Sequence, residues 1–255
     1  MTTLLSVVVP VLNEERRLPA TLVGLAYALR GFSRRTEIVV VDNGSTDRSA
    51  EIVRAHRAGP VPIRIIDCAE RGKGAAVRAG VLATDSAFVG FCDADLATNM
   101  DALTPTLDCL YGGVNVVVGS RAHPMSDVRA RHSMVRQVGA WAFRRAVGSL
   151  VPNVGDTQCG FKFFDRDTAE RIFLPLRTTG FAFDVELLAR ARRSGAVIAE
   201  LPVRWTDVPG STFSPMRDGY RSFAALREIR ELLDREARVP VRRVITADAA
   251  IAEVA

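Results

Sequence analysis

The chain has 255 residues, 48% of them hydrophobic and 25% charged, with a formal net charge of +5, so it can bury a substantial core without disulfide or metal staples. Its four cysteines, Cys68, Cys92, Cys109 and Cys159, stand singly with no CxxC pair or Cys/His cluster, which argues against a disulfide framework or zinc site and for a reducing, cytoplasmic compartment. No apolar run reaches the roughly 18 to 20 residues of a membrane span, the first residues lack the basic start and cleavage site of a signal peptide, and the modest basic excess suits a nucleotide, lipid phosphate or membrane surface, with no nucleic-acid partner expected.

In chain order, apolar strand-like runs alternate with helix-period segments over about the first 120 residues. "LLSVVVPVL" reads as a first strand, and Leu18, Leu22, Leu25 and Leu29 then recur at helical spacing. "EIVVVD" is a second strand, followed by a helix through Ile52 and Val53; "PIRIID" is a third, and "GKGAAVRAGVLA" runs from loop into helix. "AFVGFC" is a fourth strand and "NVVVGS" a fifth. Near-continuous apolar strands alternating with helices predict an α/β fold, a mostly parallel sheet with flanking helices on both faces.

Past the fifth strand, Arg121 to Arg145 carries six arginines against one acid, Asp127, with Val135, Val138 and Phe143 at amphipathic spacing. "AVIAELPVRW" is expected to form an antiparallel carboxyl-terminal portion of the sheet. From Arg217 to Arg238, Phe223, Leu226, Ile229, Leu232 and Leu233 fall on one face of a basic helix, which either packs on the sheet or lies in the plane of a membrane surface. Residues 1–245 are expected to form a single domain and 246–255 a tail.

Ligands of open α/β sheets sit outside the carboxyl ends of the strands, and polar residues concentrate there: "VDNGSTD" after strand two, "RGKG" after three, "DADLAT" after four and "SRAHP" after five. The fourth loop sets Asp93 and Asp95 two residues apart. A DxD string alone reads equally well as a turn or cap, but two like charges leaving one strand are best held close by a hard divalent cation with oxygen ligands.

The strings "SVVVPVLNEERRL", "EIVVVDNGSTDRS", "RGKGAAVRAG", "FCDADLAT", "VVGSRA", "DTQCGFKFF" and "FAFDVELL" together resemble the family 2 inverting glycosyltransferases of the GT-A fold, in the group acting on dolichyl and polyprenyl phosphates. The resemblance implies that Asp42 bonds the nucleotide base, with Pro10, Leu12, Asn13 and Glu14 bordering base and ribose. It places Lys73 at the donor diphosphate, between Gly72 and Gly74, which would let the backbone come close. Ala94 lies against the donor, and Asp95 and Asp93 hold Mg2+ or Mn2+ bridging the diphosphate. Bland readings stand beside these: Asp42 also suits an Asx turn, and Lys73 a solvated surface charge.

For the acceptor, the resemblance points to Arg121 and Arg131 as partners of a phosphate, whose oxygens a planar guanidinium can bond bidentately. "DTQCGFKFF" adds Gln158 and Lys162. Asp156 has two possible roles: an ionised phosphate attacks without a base, leaving Asp156 to orient groups, whereas a sugar hydroxyl would need it as general base. The expected activity is therefore metal-dependent, inverting transfer of a hexose, glucose from UDP-glucose favoured, to a polyprenyl phosphate, with peripheral membrane contact. A soluble hydroxyl acceptor, such as a natural-product or nucleoside intermediate, is the alternative.

Other classes fit less well. A haloacid-dehalogenase phosphatase wants Thr or Val where Ala97 stands, a nucleotidyltransferase wants a Gly-rich Arg-bearing loop where "PVLNEERRL" stands, and no GxGxxG follows a strand. Ala97 also replaces the Gln of related mannosyl enzymes, and Thr212 the lysine of the family's loop over the donor phosphates.

Overall fold

The computed structural model describes residues 3–56, 59, 61–129, 142–208 and 217–238. The first strand, β1 (Leu5–Val11), is buried at every position but Pro10. It pairs in parallel with β2 (Thr36–Asp42) on one side and β4 (Phe88–Cys92) on the other. β3 (Ile63–Asp67) forms one edge, and the sheet runs β3-β2-β1-β4-β7-β5-β8, with β5 at Val116–Ser120, β7 at Phe161–Asp165 and β8 at Ile198–Pro202. Apolar side chains on successive residues serve two cores: Val8 lies in one, Val7 and Val9 in the other. That is why the strands read as continuous apolar runs.

Helix α1 (Leu18–Leu29) covers one face with Leu18, Leu22, Leu25 and Leu29, all fully buried, each worth roughly 1.5 to 3 kcal/mol relative to exposure. α2 (Ser49–Ala55) and α4 (Leu103–Tyr111) share that face through Val53, Leu103, Leu107 and Leu110. The opposite face is covered by α3 (Lys73–Leu82), helical residues 142–147 (α5), α6 (Arg166–Phe173), α7 (Phe183–Arg193) and α8 (Arg217–Arg238). On α8, Leu226, Ile229 and Leu233 are buried in that core and Phe223 meets Phe143 edge-on at 5.3 Å. Packing on the protein thus takes up Leu226, Ile229 and Leu233, while Phe223 remains 41% exposed.

The antiparallel strand is not where the sequence pattern put it. β8 pairs with β5 in parallel, and β7 alone runs antiparallel, between β4 and β5. Chain direction explains both. β7 begins beside the end of β4, with Phe161 opposite Cys92, so it enters the sheet from the rim where β1, β2, β4 and β5 end. The α6 and α7 crossover then returns the chain, and β8 runs in the common direction. β6 (Asp127–Arg129) and β9 (Arg204–Thr206) form a separate two-stranded parallel ribbon.

Arg131, Val135, Val138, Thr212 and residues 246–255 lie outside the described residues. Among the described residues no helix is long and apolar enough to cross a membrane.

Candidate active site

The loops after β1 and β2 are laced together. Asn13, held at φ 56°, accepts from Thr46 N through Oδ1 at 2.8 Å, and its own N–H donates to Ser45 Oγ at 3.0 Å. Glu14 N donates to Ser49 Oγ at 2.8 Å. Pro10 is half-buried and Leu12 is 48% exposed beside them. Asp42, at the end of β2, makes the turn contact of its motif. Oδ2 accepts from Ser45 N at 3.3 Å, as in an Asx turn, while Oδ1 is buried with no hydrogen-bond partner. A buried acceptor without a partner is costly, and this oxygen is available to accept an N–H.

Asn43 was not singled out by sequence reasoning and is the hinge of the next loop. Its Nδ2 donates to Cys68 O and Glu70 O, and its Oδ1 accepts from Gly72 N at 2.7 Å. An Asn directly after the strand-end aspartate, inside "VDNGSTD", was the available signal. The glycines of "RGKG" allow a close approach within the protein. Gly72 has φ 129°, and a Cβ there would lie 2.2 Å from Thr179 O, which itself accepts from Gly74 N at 2.7 Å. The close approach is to the loop before α7. Lys73 follows and points inward, its Nζ 2.5 Å from Asp93 Oδ1. Burial disfavours the ammonium, but the carboxylates of Asp93, Asp184 and Asp95 outweigh it and raise its pKa, so Lys73 is no solvated surface charge.

Asp93 and Asp95 leave β4 at the rim. Asp93 N donates to Gly160 O at 3.1 Å, and a Cβ on Gly160 would sit 2.0 Å from Asp93 Oδ2, so only glycine leaves room for this carboxylate. Asp95 Oδ1 accepts from Ala97 N at 3.0 Å. Ala94 between them is buried, its carbonyl held by Thr21 Oγ1 of α1. Burial raises the Asp95 carboxyl and the charge on Asp93 adds to it, against the Ala97 hydrogen bond and the cations Lys73 and Arg17. Burial likewise raises Glu14, with Arg17 opposing and Asp95, Asp47 and Asp93 adding. Glu14 thus faces the carboxylate pair electrostatically. Excess negative charge that draws a lysine to 2.5 Å fits a divalent cation. Among the described residues no three His, Cys, Asp or Glu groups converge, and two carboxylates with phosphate and water completing the shell is a donor set that Mg2+ accepts.

Across the rim, Arg121 and Asp156 form one unit. Arg121 Nε and Nη2 donate to Asp156 Oδ2 and Oδ1 at 2.6 and 2.9 Å, and Arg121 N donates to Oδ2 at 3.0 Å. Burial alone would raise Asp156, but these bonds and the Arg121 charge hold its carboxyl below the usual range. Glu200, also missed from sequence, supports the loop by accepting from Gly155 N and Asp156 N at 2.9 and 3.1 Å. The Trp205 ring lies 5.6 Å from the guanidinium. Gln158 is half-buried, its N–H on Asp156 Oδ1.

Lys162 is a correction. It is fully buried, with Nζ on Cys159 O at 2.5 Å and ion-paired with Asp184 at 2.7 Å. Its place on β7 directs it into the core beneath the rim, where it meets no acceptor.

Residues 6–173 match the model of glycosyl transferase family 2. The chain is 36% identical over 225 residues to dolichyl-phosphate beta-glucosyltransferase of Dictyostelium discoideum, covering 83% of this chain and 69% of that one. It is 36% identical over 230 residues to the Homo sapiens protein of the same name, covering 83% and 70%. Its backbone is similar to glucosyl-3-phosphoglycerate synthase of Mycobacterium tuberculosis, solved with Mn2+, uridine-diphosphate and glucosyl-3-phosphoglycerate, at TM-score 0.67 and 19% identity over 89% of this chain and 80% of that one. The same synthase solved with Mg2+ and uridine-diphosphate also gives 0.67. With the family model spanning more than half of the residues and a GT-A backbone around the paired aspartates, the chain belongs to glycosyl transferase family 2 and is a nucleotide-sugar-dependent glycosyltransferase.

Proposed function

We propose that this enzyme transfers glucose from UDP-glucose to a polyprenyl phosphate, with inversion and with Mg2+ or Mn2+. The names of the curated relatives support the sugar and the lipid phosphate, and the ligands of the solved neighbours support UDP and the metal. The observation that carries the acceptor class is the Arg121–Asp156 clamp. A carboxylate whose two oxygens already accept from Arg121, and whose pKa is depressed, is a poor proton acceptor at neutral pH. A phosphate monoester asks for none.

In this reading the orphan Oδ1 of Asp42 accepts the uracil N–H, while Pro10, Leu12 and Asn13 border base and ribose, Glu14 lies beside the paired aspartates, and Ala94 backs the donor. Asp95 and Asp93 hold the cation, which when bound supplies Lewis-acid stabilisation of the departing diphosphate. Lys73 adds an ammonium for the same oxygens. Arg121 keeps its third nitrogen, Nη1, for an acceptor phosphate while Asp156 fixes its orientation, and Gln158 and Arg131 complete the acceptor side. A polyprenyl acceptor lies in a membrane, so peripheral contact at its cytoplasmic face belongs to the same proposal.

The test offers labelled UDP-glucose with undecaprenyl or dolichyl phosphate, and separately with soluble hydroxyl acceptors, followed by mass spectrometry of the products. A glucosyl lipid phosphate is the expected product. Label confined to a soluble glycoside would overturn the acceptor assignment.

A further inference from the structure

The ammonium of Lys73 sits 2.5 Å from Asp93 Oδ1, inside the pair of carboxylates assigned to the cation. The lysine side chain is 19% exposed and the Asp93 side chain 36%, so the contact is largely shielded from solvent. The lysine is pinned at its base as well: Gly72 before it is fixed by Asn43 Oδ1, and Gly74 and Ala75 after it donate to Thr179 O. Behind it lies Asp184, 2% exposed and paired with the buried Lys162 at 2.7 Å. Asp184 is within electrostatic reach of Lys73 and favours a charged ammonium there. The charges alternate as Asp93, Lys73, Asp184, Lys162.

We propose that Lys73 is the resident counter-ion of the Asp93–Asp95 pair, which a divalent cation must displace from Asp93, so that metal and lysine compete until a nucleotide diphosphate arrives to take the ammonium. The inference rests on the reading that Asp93 and Asp95 hold the metal. Without nucleotide, a divalent ion approaching Asp93 meets a fixed positive charge and must break a charge-assisted contact. With nucleotide, the phosphate oxygens offer the ammonium a new partner and supply further oxygens to the metal. The two cations then bind the same anion instead of excluding each other. Metal and nucleotide binding are therefore positively coupled, and by linkage each tightens the other by the same factor. Lys73 acts here by offsetting one of the two carboxylate charges of the metal-free site, a role distinct from its contact with the diphosphate.

The test is Mn2+ binding, followed by the electron paramagnetic resonance signal of free Mn2+, for the native protein and Lys73→Met, each with and without UDP at one pH. Removing the competing ammonium is expected to tighten Mn2+ binding about tenfold in the absence of UDP, the scale of one charge-assisted hydrogen bond. With UDP present the variant should lose this advantage, so the UDP-induced gain in Mn2+ affinity shrinks. Lys73→Gln, neutral and polar, should repeat the result and serves if the methionine variant does not fold. Equal or weaker Mn2+ binding by both variants without UDP would overturn the proposal. Failure of the native protein to take up Mn2+ even with UDP would instead overturn the metal reading on which it rests.

Discussion

Replacing Asp156 by asparagine separates orientation from base catalysis, because the two roles load different kinetic constants. In the native protein Asp156 accepts two side-chain hydrogen bonds and one main-chain hydrogen bond from Arg121, at 2.6 to 3.0 Å. Asparagine keeps the shape but removes the charge and turns one acceptor into a donor facing the guanidinium. Loss of one charge-assisted bond is worth about 1.5 to 3 kcal/mol, so a loosened Arg121 should raise the KM for polyprenyl phosphate by about 10- to 150-fold. No proton transfer is removed, so kcat should stay within about tenfold. Loss of a general base would instead cost about a hundredfold to ten-thousandfold in kcat. Initial rates with UDP-glucose saturating and the lipid phosphate varied give the split directly. The native rate should also be flat from about pH 6.5 to 8.5, since Asp156 titrates below its ordinary range. A collapse of kcat by a hundredfold with KM unchanged would refute the orienting role and restore a hydroxyl acceptor.

Lys162→Met should destabilise the fold by about 3 to 5 kcal/mol because it strands Asp184, whereas Lys162→Met with Asp184→Leu should recover most of the loss; urea midpoints compare them, and a single variant as stable as native would contradict the buried pair. Asp42→Ala should weaken UDP binding by about 1 to 3 kcal/mol, read by calorimetry, and unchanged affinity would leave Asp42 with its turn alone. Because the Asp156 carboxyl is depressed in the fold, its contribution to stability is fully present above the unfolded pKa of about 3.9 and fades as pH falls through the lower folded value. The stability gap between native protein and Asp156→Asn should therefore narrow between about pH 5 and pH 2, and a constant gap would show that no linked proton is involved.

Local chemistry was enough to read the first half of the fold. Strands buried on both faces need unbroken apolar runs, and α1 needs leucines one face apart, so β1, β2, β4 and α1 are written in neighbouring residues. The rim loops were legible for the same reason: Asp42 closes β2, Asp93 and Asp95 follow β4, and Lys73 lies in the loop-to-helix turn after β3, and a parallel sheet brings such ends together. What no local pattern holds is the direction and partner of a segment arriving from far along the chain. β7 is antiparallel because the chain re-enters from the rim after β5, and β8 is parallel because two helices carry it back first. That one reversal decided Lys162: on β7 its side chain runs beneath the rim to Asp184, 22 positions away in sequence. The tertiary fold likewise joined Arg121 to Asp156, placed Glu200 under their loop and set Lys73 against Asp93. Charges attract at a distance of a few ångströms, and sequence separation carries no information about that distance until the backbone has closed.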